Sequence, residues 1–413
     1  MVGAVNRAVD VLVVGAGPAG LAAAARLASA DGGRYRIEVL EREHEAGGVP
    51  RHCAHGGFGL VGLGRPLDGP GYARRLAVAA VRAGAALRTG VSATGWSGPL
   101  TLEVTAPTGL ERITARAVVL TTGARERPRS ARLVPGTRPA GVLTTGELQQ
   151  STHLYGVRRE RLGRRAVVIG AEPVAHHAVR ALRRARVDVV AMVTEQPRGL
   201  RRFGALALPP LLTGTTVTEL LGRGRLAGIG VRHADGRAGT IRCDTAVFTG
   251  DWIPDQELAR SGGVLLDAGT RGPSVDSAFR TASAGIFAAG NVLRGIESAG
   301  TAAAEGRWAA EGVLRSLSGE PWPDSAVPLT AQGPVGWVAP NRIPGTAAAG
   351  RPFLLRVREP LTRPLVEVVQ DGRVLHRARL LGTAWPHRSV RLPGGWAREV
   401  DPAGGPVEVR VTA

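Results

Sequence analysis

The stretch that most constrains this chain is VDVLVVGAGPAG at residues 9–20. A β-branched run that stops at a glycine, continues with two more glycines at fixed spacing and then enters LAAAARLASA leaves few folds open. Gly15 permits the tight turn at the strand end, Gly17 lets an anion approach the backbone, and Gly20 lets the helix lie close to the strand. Pro18 and Ala19 open the helix, whose first amides lack internal partners and whose dipole is positive at that end. RIEVLERE at 36–43 then supplies a second strand ending on Glu41, a carboxylate placed to accept hydrogen bonds from a ribose, with Arg42 beside it. The spacing predicts a βαβ unit that holds a dinucleotide. Gly47 and Gly48 of EREHEAGG let the next loop pass close over that ligand.

A second unit of this kind begins at RAVVIGAEPVAHHAVRALRRARVDVVAMVTE, residues 165–195. Here Glu172 stands where the first motif has Gly17, adding bulk and negative charge at the phosphate position. NAD(P) at this second site is therefore disfavoured, although Glu195 takes the ribose position and Arg198, Arg201 and Arg202 offer charge for a 2'-phosphate. Strand-and-glycine endings follow at AVVLTTGA (117–124), DTAVFTGD (244–251) and AGIFAAGN (284–291), the last leading into an alanine-rich helix. That order predicts an α/β protein in which one dinucleotide-binding domain, residues 1–137 and 263–320, is interrupted by another, residues 138–262. From 321 to 413 short β-like runs such as FLLRVRE and PLVEVVQ alternate with turns such as DG at 371–372, which predicts a small β-sandwich.

At 413 residues the chain needs more than one core, because single cores stop growing at roughly 250 to 300 residues. No run of about 18 apolar residues occurs, and the first strand starts within about ten residues of the N-terminus. The expectation is a cytoplasmic protein without a signal peptide or membrane span. The two cysteines, Cys53 and Cys243, are far apart, which argues against a disulfide framework, a structural zinc site and an iron-sulfur cluster. All 53 basic residues are arginine, for a net charge of +19, and the absence of lysine excludes Schiff-base chemistry. The arginines spread along the whole length and aromatics make up only 4%, a pattern that disfavours nucleic acid as partner.

GAGPAG, the LERE continuation to Gly47 and Gly48, LTTGA and GIFAAGN together resemble the flavoproteins with two dinucleotide-binding domains related to glutathione reductase. GGVPRHCAHGGFGL, LDGPGYARRL and GARERPRSARLVPGTRPAGVLTTGELQ are similar to a narrower branch, with the FAD subunits of opine oxidase, hydrogen cyanide synthase and heterotetrameric sarcosine oxidase. The likeness runs over about residues 8–318. It implies FAD on the first fingerprint, with Thr122, Gly123, Gly290 and Asn291 as further contacts, Asn291 standing where the family usually has Asp. It also implies that Thr301, in the first turn of the helix after AAGN, lies at the pyrimidine side of the flavin, where the helix dipole stabilises negative charge. Disulfide reductases of the wider family carry two cysteines five positions apart soon after the paired glycines, whereas this chain offers Cys53 alone.

VPRHCAHGGFGL at 49–60 is the candidate substrate-facing loop. His52, Cys53 and His55 are too close in sequence to suit a tetrahedral metal site, so no metal is expected. Arg51 can pair a substrate carboxylate or phosphate bidentately, His55 is the candidate base, and Cys53 either faces substrate or packs. The expected function is an FAD-dependent dehydrogenase or oxidase taking a hydride from a small amine, amino acid or hydroxy substrate, passing electrons to a partner subunit, a soluble acceptor or oxygen. Two alternatives stand beside it. An NAD(P)H-dependent flavin reductase would be bleached by reduced nicotinamide alone, and a basic FAD-containing binding protein would retain nucleic acid in a salt-sensitive way with no substrate reducing it.

Overall fold

A computed structural model describes residues 4–30, 32–196, 209–345 and 350–412. Arg198, Arg201 and Arg202 lie outside the described residues. The chain divides into two compact units, one of residues 1–51, 56–125 and 253–413, the other of residues 52–55 and 126–252. The second unit's main segment is 126–252, where the order of the motifs led to an expected inserted domain of 138–262. Its entry and exit are zipped together at Arg127 and Asp251, whose backbones bond at 2.9 Å and whose side chains pair at 3.1 Å. Residues 52–55 join it from a distant part of the sequence.

In the first unit the β-branched run forms β1 (Val5–Val14), Pro18 at the first helical position opens the alanine-rich α1 (Pro18–Ala30), and β2 (Ile37–Glu41) follows. Residues 11–13 of β1 are fully buried and all five of β2 are buried, as in a parallel sheet covered on both faces. The parallel strands lie in the order Ala86–Thr89, β2, β1, Gly109–Leu120. Gly109–Leu120 is shared along its length: its first half pairs antiparallel with Thr101–Ala106, and Val118–Leu120 pairs parallel with Ile286–Ala288. That sharing brings the ends of β1, Gly109–Leu120 and Ile286–Ala288 to one rim. Helix Ala299–Leu317 packs along α1 so closely that a Cβ on Gly306 would lie 2.0 Å from the Ala19 carbonyl oxygen.

The same unit carries the C-terminal strands. A five-stranded sheet (Arg342–Pro344, Ala326–Ala331, Val407–Thr412, Leu365–Gln370, Arg373–Arg379) and a three-stranded sheet (Val335–Ala339, Phe353–Val357, Val390–Leu392) enclose one apolar core that includes Val335, Phe353, Leu355, Val368 and Val409. The sheets expected from residue 321 onward are present, within the first unit.

The second unit has five parallel strands in the order Leu211–Leu212, Asp188–Val193, Arg165–Ile169, Thr245–Phe248, Val142–Thr144. Helix Pro173–Arg184 follows the altered fingerprint, and an antiparallel sheet of Thr215–Leu221, Gly228–His233 and Ala238–Ile241 completes it. No helix among the described residues is long and apolar enough to cross a membrane.

Candidate active site

The glycine turn at the end of β1 has the shape its sequence demands. Gly15 has φ +102°, and a Cβ there would lie 2.5 Å from the Thr121 carbonyl oxygen; a Cβ on Gly20 would lie 2.0 Å from the Gly15 oxygen. Around Gly17 nothing comes within 4 Å of the position a Cβ would take. Two of the three glycines are thus required by neighbouring backbone, and the third borders open space above the first amides of α1. The Thr121 hydroxyl shares its proton between the carbonyls of Val14 and Gly15, both at 2.9 Å, and fixes the turn from the neighbouring strand.

Two further backbone segments border this cradle. Gly48, at φ +60°, crosses Gly17 so closely that its Cβ would be 2.9 Å from the Gly17 Cα, and Gly47 donates its N–H to the Ala16 carbonyl at 2.8 Å. Gly290, at φ +81°, abuts Ala19, with its Cβ position 2.7 Å from the Ala19 methyl. Glu41 is only 7% exposed; its carboxylate accepts from Ala16 N at 2.9 Å and from Glu43 N at 3.0 Å. It therefore braces the turn besides standing at the position expected for a ribose contact. Arg42 pairs with Asp255 at 3.3 Å, and Thr122 donates to the Asp255 carbonyl at 2.6 Å, so these two candidates and Gly123, whose carbonyl accepts Asp255 N at 2.9 Å, meet at one residue.

Asn291 spends its amide on the chain itself. Its Oδ1 accepts Glu297 N at 2.9 Å and its Nδ2 donates to Glu297 O at 3.3 Å, closing the loop between the turn Gly290–Val292 and helix Ala299–Leu317. Ser298 caps that helix, accepting Thr301 N at 3.1 Å, and its hydroxyl also meets the Thr301 hydroxyl at 3.0 Å. Glu305, which sequence reasoning missed, is buried on the same helix. It accepts Gly290 N at 3.1 Å and pairs with Arg294, which is 1% exposed. Burial raises the Glu305 pKa and Arg294 opposes the rise. A lone carboxylate within the alanine- and glycine-rich run SAGTAAAEG was the available signal.

The substrate-loop candidates are divided. Arg51, in the first unit, is mostly buried and lies 3.4 Å from Glu45 and 4.0 Å from Glu43. Cys53 and His55 belong to the second unit. Cys53 is buried, its thiol directed at Gln149 Oε1 at 3.5 Å, and burial together with Glu126 pushes its pKa up to about 12. His55 stacks flat on His177, with centroids 3.6 Å apart and planes 7° from parallel, and Arg184 donates to the Ala54 carbonyl at 2.6 Å. Burial, and then the charge of His55, lowers the His177 pKa to about 4. No cluster of three His, Cys, Asp or Glu suited to a metal occurs among the described residues.

In the second unit the altered fingerprint is folded onto itself. Glu172 turns its carboxylate into the glycine turn, where Oε2 accepts Ala171 N at 3.0 Å. A Cβ on Gly170 would be 2.7 Å from Oε2, and one on Gly250 would be 2.6 Å from the carboxyl carbon. The buried Oε1 has no hydrogen-bond partner, and burial raises the Glu172 pKa. Glu195, at the end of the following strand region, is exposed.

A family model described as "Pyridine nucleotide-disulphide oxidoreductase" matches residues 9–306. The chain belongs to this family. It is an oxidoreductase with FAD as cofactor, and NAD(P) is involved in the chemistry of the family. Among curated relatives, "Sarcosine oxidase subunit alpha" of Corynebacterium sp. (strain P-1) is 36% identical over 168 residues, a match spanning 36% of this chain and 16% of that protein. Among solved structures, T. acidophilum thioredoxin reductase has a TM-score of 0.62 at 23% identity, covering 76% of this chain and 99% of that one. L-proline dehydrogenase from P. horikoshii has a TM-score of 0.57 at 19% identity, covering 78% of this chain and 58% of that one. At these identities the two structures show a shared fold. The first fingerprint suits FAD on its own geometry: Gly17 leaves room for a diphosphate at the amino end of α1, and Gly48 and Gly290 bring bare backbone up beside it.

Proposed function

We propose that this chain is an FAD-dependent dehydrogenase or oxidase, or the flavin subunit of one, acting in the cytoplasm on a small amine, amino acid or hydroxy substrate, with electrons entering from that substrate and not from NAD(P)H. The observation that carries the reading is Glu172, whose carboxylate occupies the turn of the second fingerprint and hydrogen-bonds the amide at Ala171. A carboxyl group seated there takes the space of a second diphosphate and competes for its donors. The matched relative named as a subunit of sarcosine oxidase supports both the substrate class and a partner subunit as one route for electrons to leave.

Bound FAD supplies a hydride acceptor. The rest falls to the protein. The first fingerprint holds the diphosphate through Gly15, Gly17, Pro18, Ala19 and Gly20, Glu41 and Arg42 serve the adenosine end, and Gly47, Gly48, Thr122, Gly123, Gly290, Asn291 and Thr301 line the remainder. As the substrate C–H bond breaks with its electron pair leaving as hydride, the N–H or O–H proton passes to a base and an imine or carbonyl forms. His55 is the proposed base and Arg51 the proposed anchor for a substrate anion. Cys53, held as a thiol at neutral pH, enters as a packing group. No redox disulfide is proposed, since Cys53 and Cys243 are both buried and are not joined in a disulfide.

The test is anaerobic mixing of the yellow protein with NADH, NADPH and a panel of amines, amino acids and hydroxy acids, followed at the visible flavin band. Bleaching by an organic substrate and not by either nicotinamide supports the reading. Saturable bleaching by NADH or NADPH replaces it with a flavin reductase.

A further inference from the structure

The C-terminal β-domain reaches the loop beside the flavin cradle with a set of buried contacts. Loop 291–297 starts at Gly290, against Ala19 of the cradle, and ends at the N-terminus of the 19-residue helix Ala299–Leu317. Its flavin-domain anchors include the Asn291–Glu297 bonds, the Arg294–Glu305 pair and a backbone bridge between Arg294 and Arg271. Further anchors come from the three-stranded sheet and the residue just before its third strand. Arg356, 13% exposed, donates to the carbonyls of Gly295 at 3.2 Å and Ile296 at 2.7 Å and to Glu297 Oε1 at 2.7 Å. Ser389, just before the third strand, donates to the same Glu297 oxygen. Trp337, the cross-strand partner of Arg356, has the Arg356 guanidinium 5.0 Å and the Arg294 guanidinium 5.6 Å from its ring centroid.

Two arginines and two glutamates thus balance in charge across the loop and the sheet. A buried charge that loses its partner is costly, so this quartet defines one loop geometry and penalises others. Arg351 fastens the same domain farther along the helix, pairing with Glu311 at 2.7 Å. The C-terminal strands also enclose an apolar core of their own, with residues such as Val335, Leu355 and Val409.

We propose that the three-stranded sheet is a clamp on loop 291–297, and that Arg356 is the positioning residue through which the β-domain sets the backbone at Gly290 and the amino end of helix Ala299–Leu317 against the flavin. Nothing in this depends on which substrate the enzyme oxidises.

The test uses the full-length holoprotein with Arg356→Ala, Arg356→Lys and Ser389→Ala, and Arg373→Ala, which removes an exposed pair with Glu399 elsewhere in the domain, as control. FAD dissociation is read by the return of flavin fluorescence, and flavin environment by visible circular dichroism and the two-electron midpoint potential. Arg356→Ala is expected to weaken FAD retention about tenfold or more and to alter the visible spectrum, with Arg356→Lys recovering part of both and Ser389→Ala giving a smaller change of the same kind. Arg373→Ala should match wild type. Arg356→Ala with wild-type FAD affinity, spectrum and potential overturns the clamp, even if its melting temperature falls. Should Arg356→Ala fail to fold, Ser389→Ala decides in the same way: a changed spectrum supports the clamp, and unchanged affinity, spectrum and potential overturn it. Failure of the wild-type protein to hold FAD would instead strike the flavin assignment.

Discussion

The two glycine fingerprints share a fold context and have opposite surfaces. In the first, Gly17 borders open space and the nearby carboxylate, Glu41, sits at the end of the next strand and bonds the turn from the side. In the second, the residue at the Gly17 position is Glu172, and its carboxylate lies inside the turn. Both regions retain strand, turn and helix. A single side chain decides whether the helix end is offered to a ligand or already taken.

Exchanging that side chain should have the largest effect. Gly17→Glu places the second fingerprint's residue in the first, and because no atom lies within 4 Å of the new Cβ the fold should survive. FAD affinity should fall by ~100-fold or more, through bulk and charge at the diphosphate. Flavin content after purification and the far-ultraviolet circular dichroism check it together; a yellow Gly17→Glu protein would break the comparison. The reciprocal change, Glu172→Gly, removes the carboxylate that seals the second turn. NADH or NADPH affinity should rise by about tenfold or more, read by calorimetry. No gain would mean that something besides Glu172 closes the site.

How much of this was legible beforehand follows from range. The fingerprints, the strand endings and the C-terminal strands depend on local spacing and on backbone angles only glycine tolerates, so they read directly from sequence. Glu172 was readable as a misfit for the same reason, though its fold back onto Ala171 N was not. The Arg294–Glu305 pair and the grip of Arg356 on residues 295–297 join segments that no periodicity connects. Asn291 was legible as a polar residue of the flavin loop, but its use in bonding Glu297 depends on where the loop returns. The placement of residues 52–55 with the inserted unit is likewise a tertiary outcome, carried by the His55–His177 stack and the Arg184 bond to Ala54.

Acid should separate the two units by a smaller margin. His177, lowered to about 4 by burial, stays neutral in the folded second unit and takes up a proton when unfolded. Its contribution is complete above its ordinary value of 6.5 and is lost as pH falls toward 4. In the first unit Glu111, hydrogen-bonded by Arg88 and then Arg7, is held down at about 2; its contribution is complete above 4.5 and is lost as pH falls toward 2. Hydrogen exchange between pH 7 and pH 3 should therefore show the second unit loosening first, and His177→Gln should flatten that early response. Simultaneous loosening would remove this distinction between the units. The thiols offer a check that bears on neither fingerprint: Cys53 and Cys243, both with pKa about 12, should react with a thiol reagent at neutral pH ~100-fold or more slower in the folded protein than after denaturation.

The central claim is that one helix end binds a flavin dinucleotide while its counterpart is sealed by its own glutamate. Its most direct test is a nucleotide inventory of the wild-type protein: flavin absorbance per chain, followed by calorimetric titration of the same sample with NADH and NADPH. The account predicts one FAD per chain and no saturable heat from either nicotinamide. A colourless protein that stays colourless with added FAD, or a saturable nicotinamide isotherm on the wild-type chain, would contradict it.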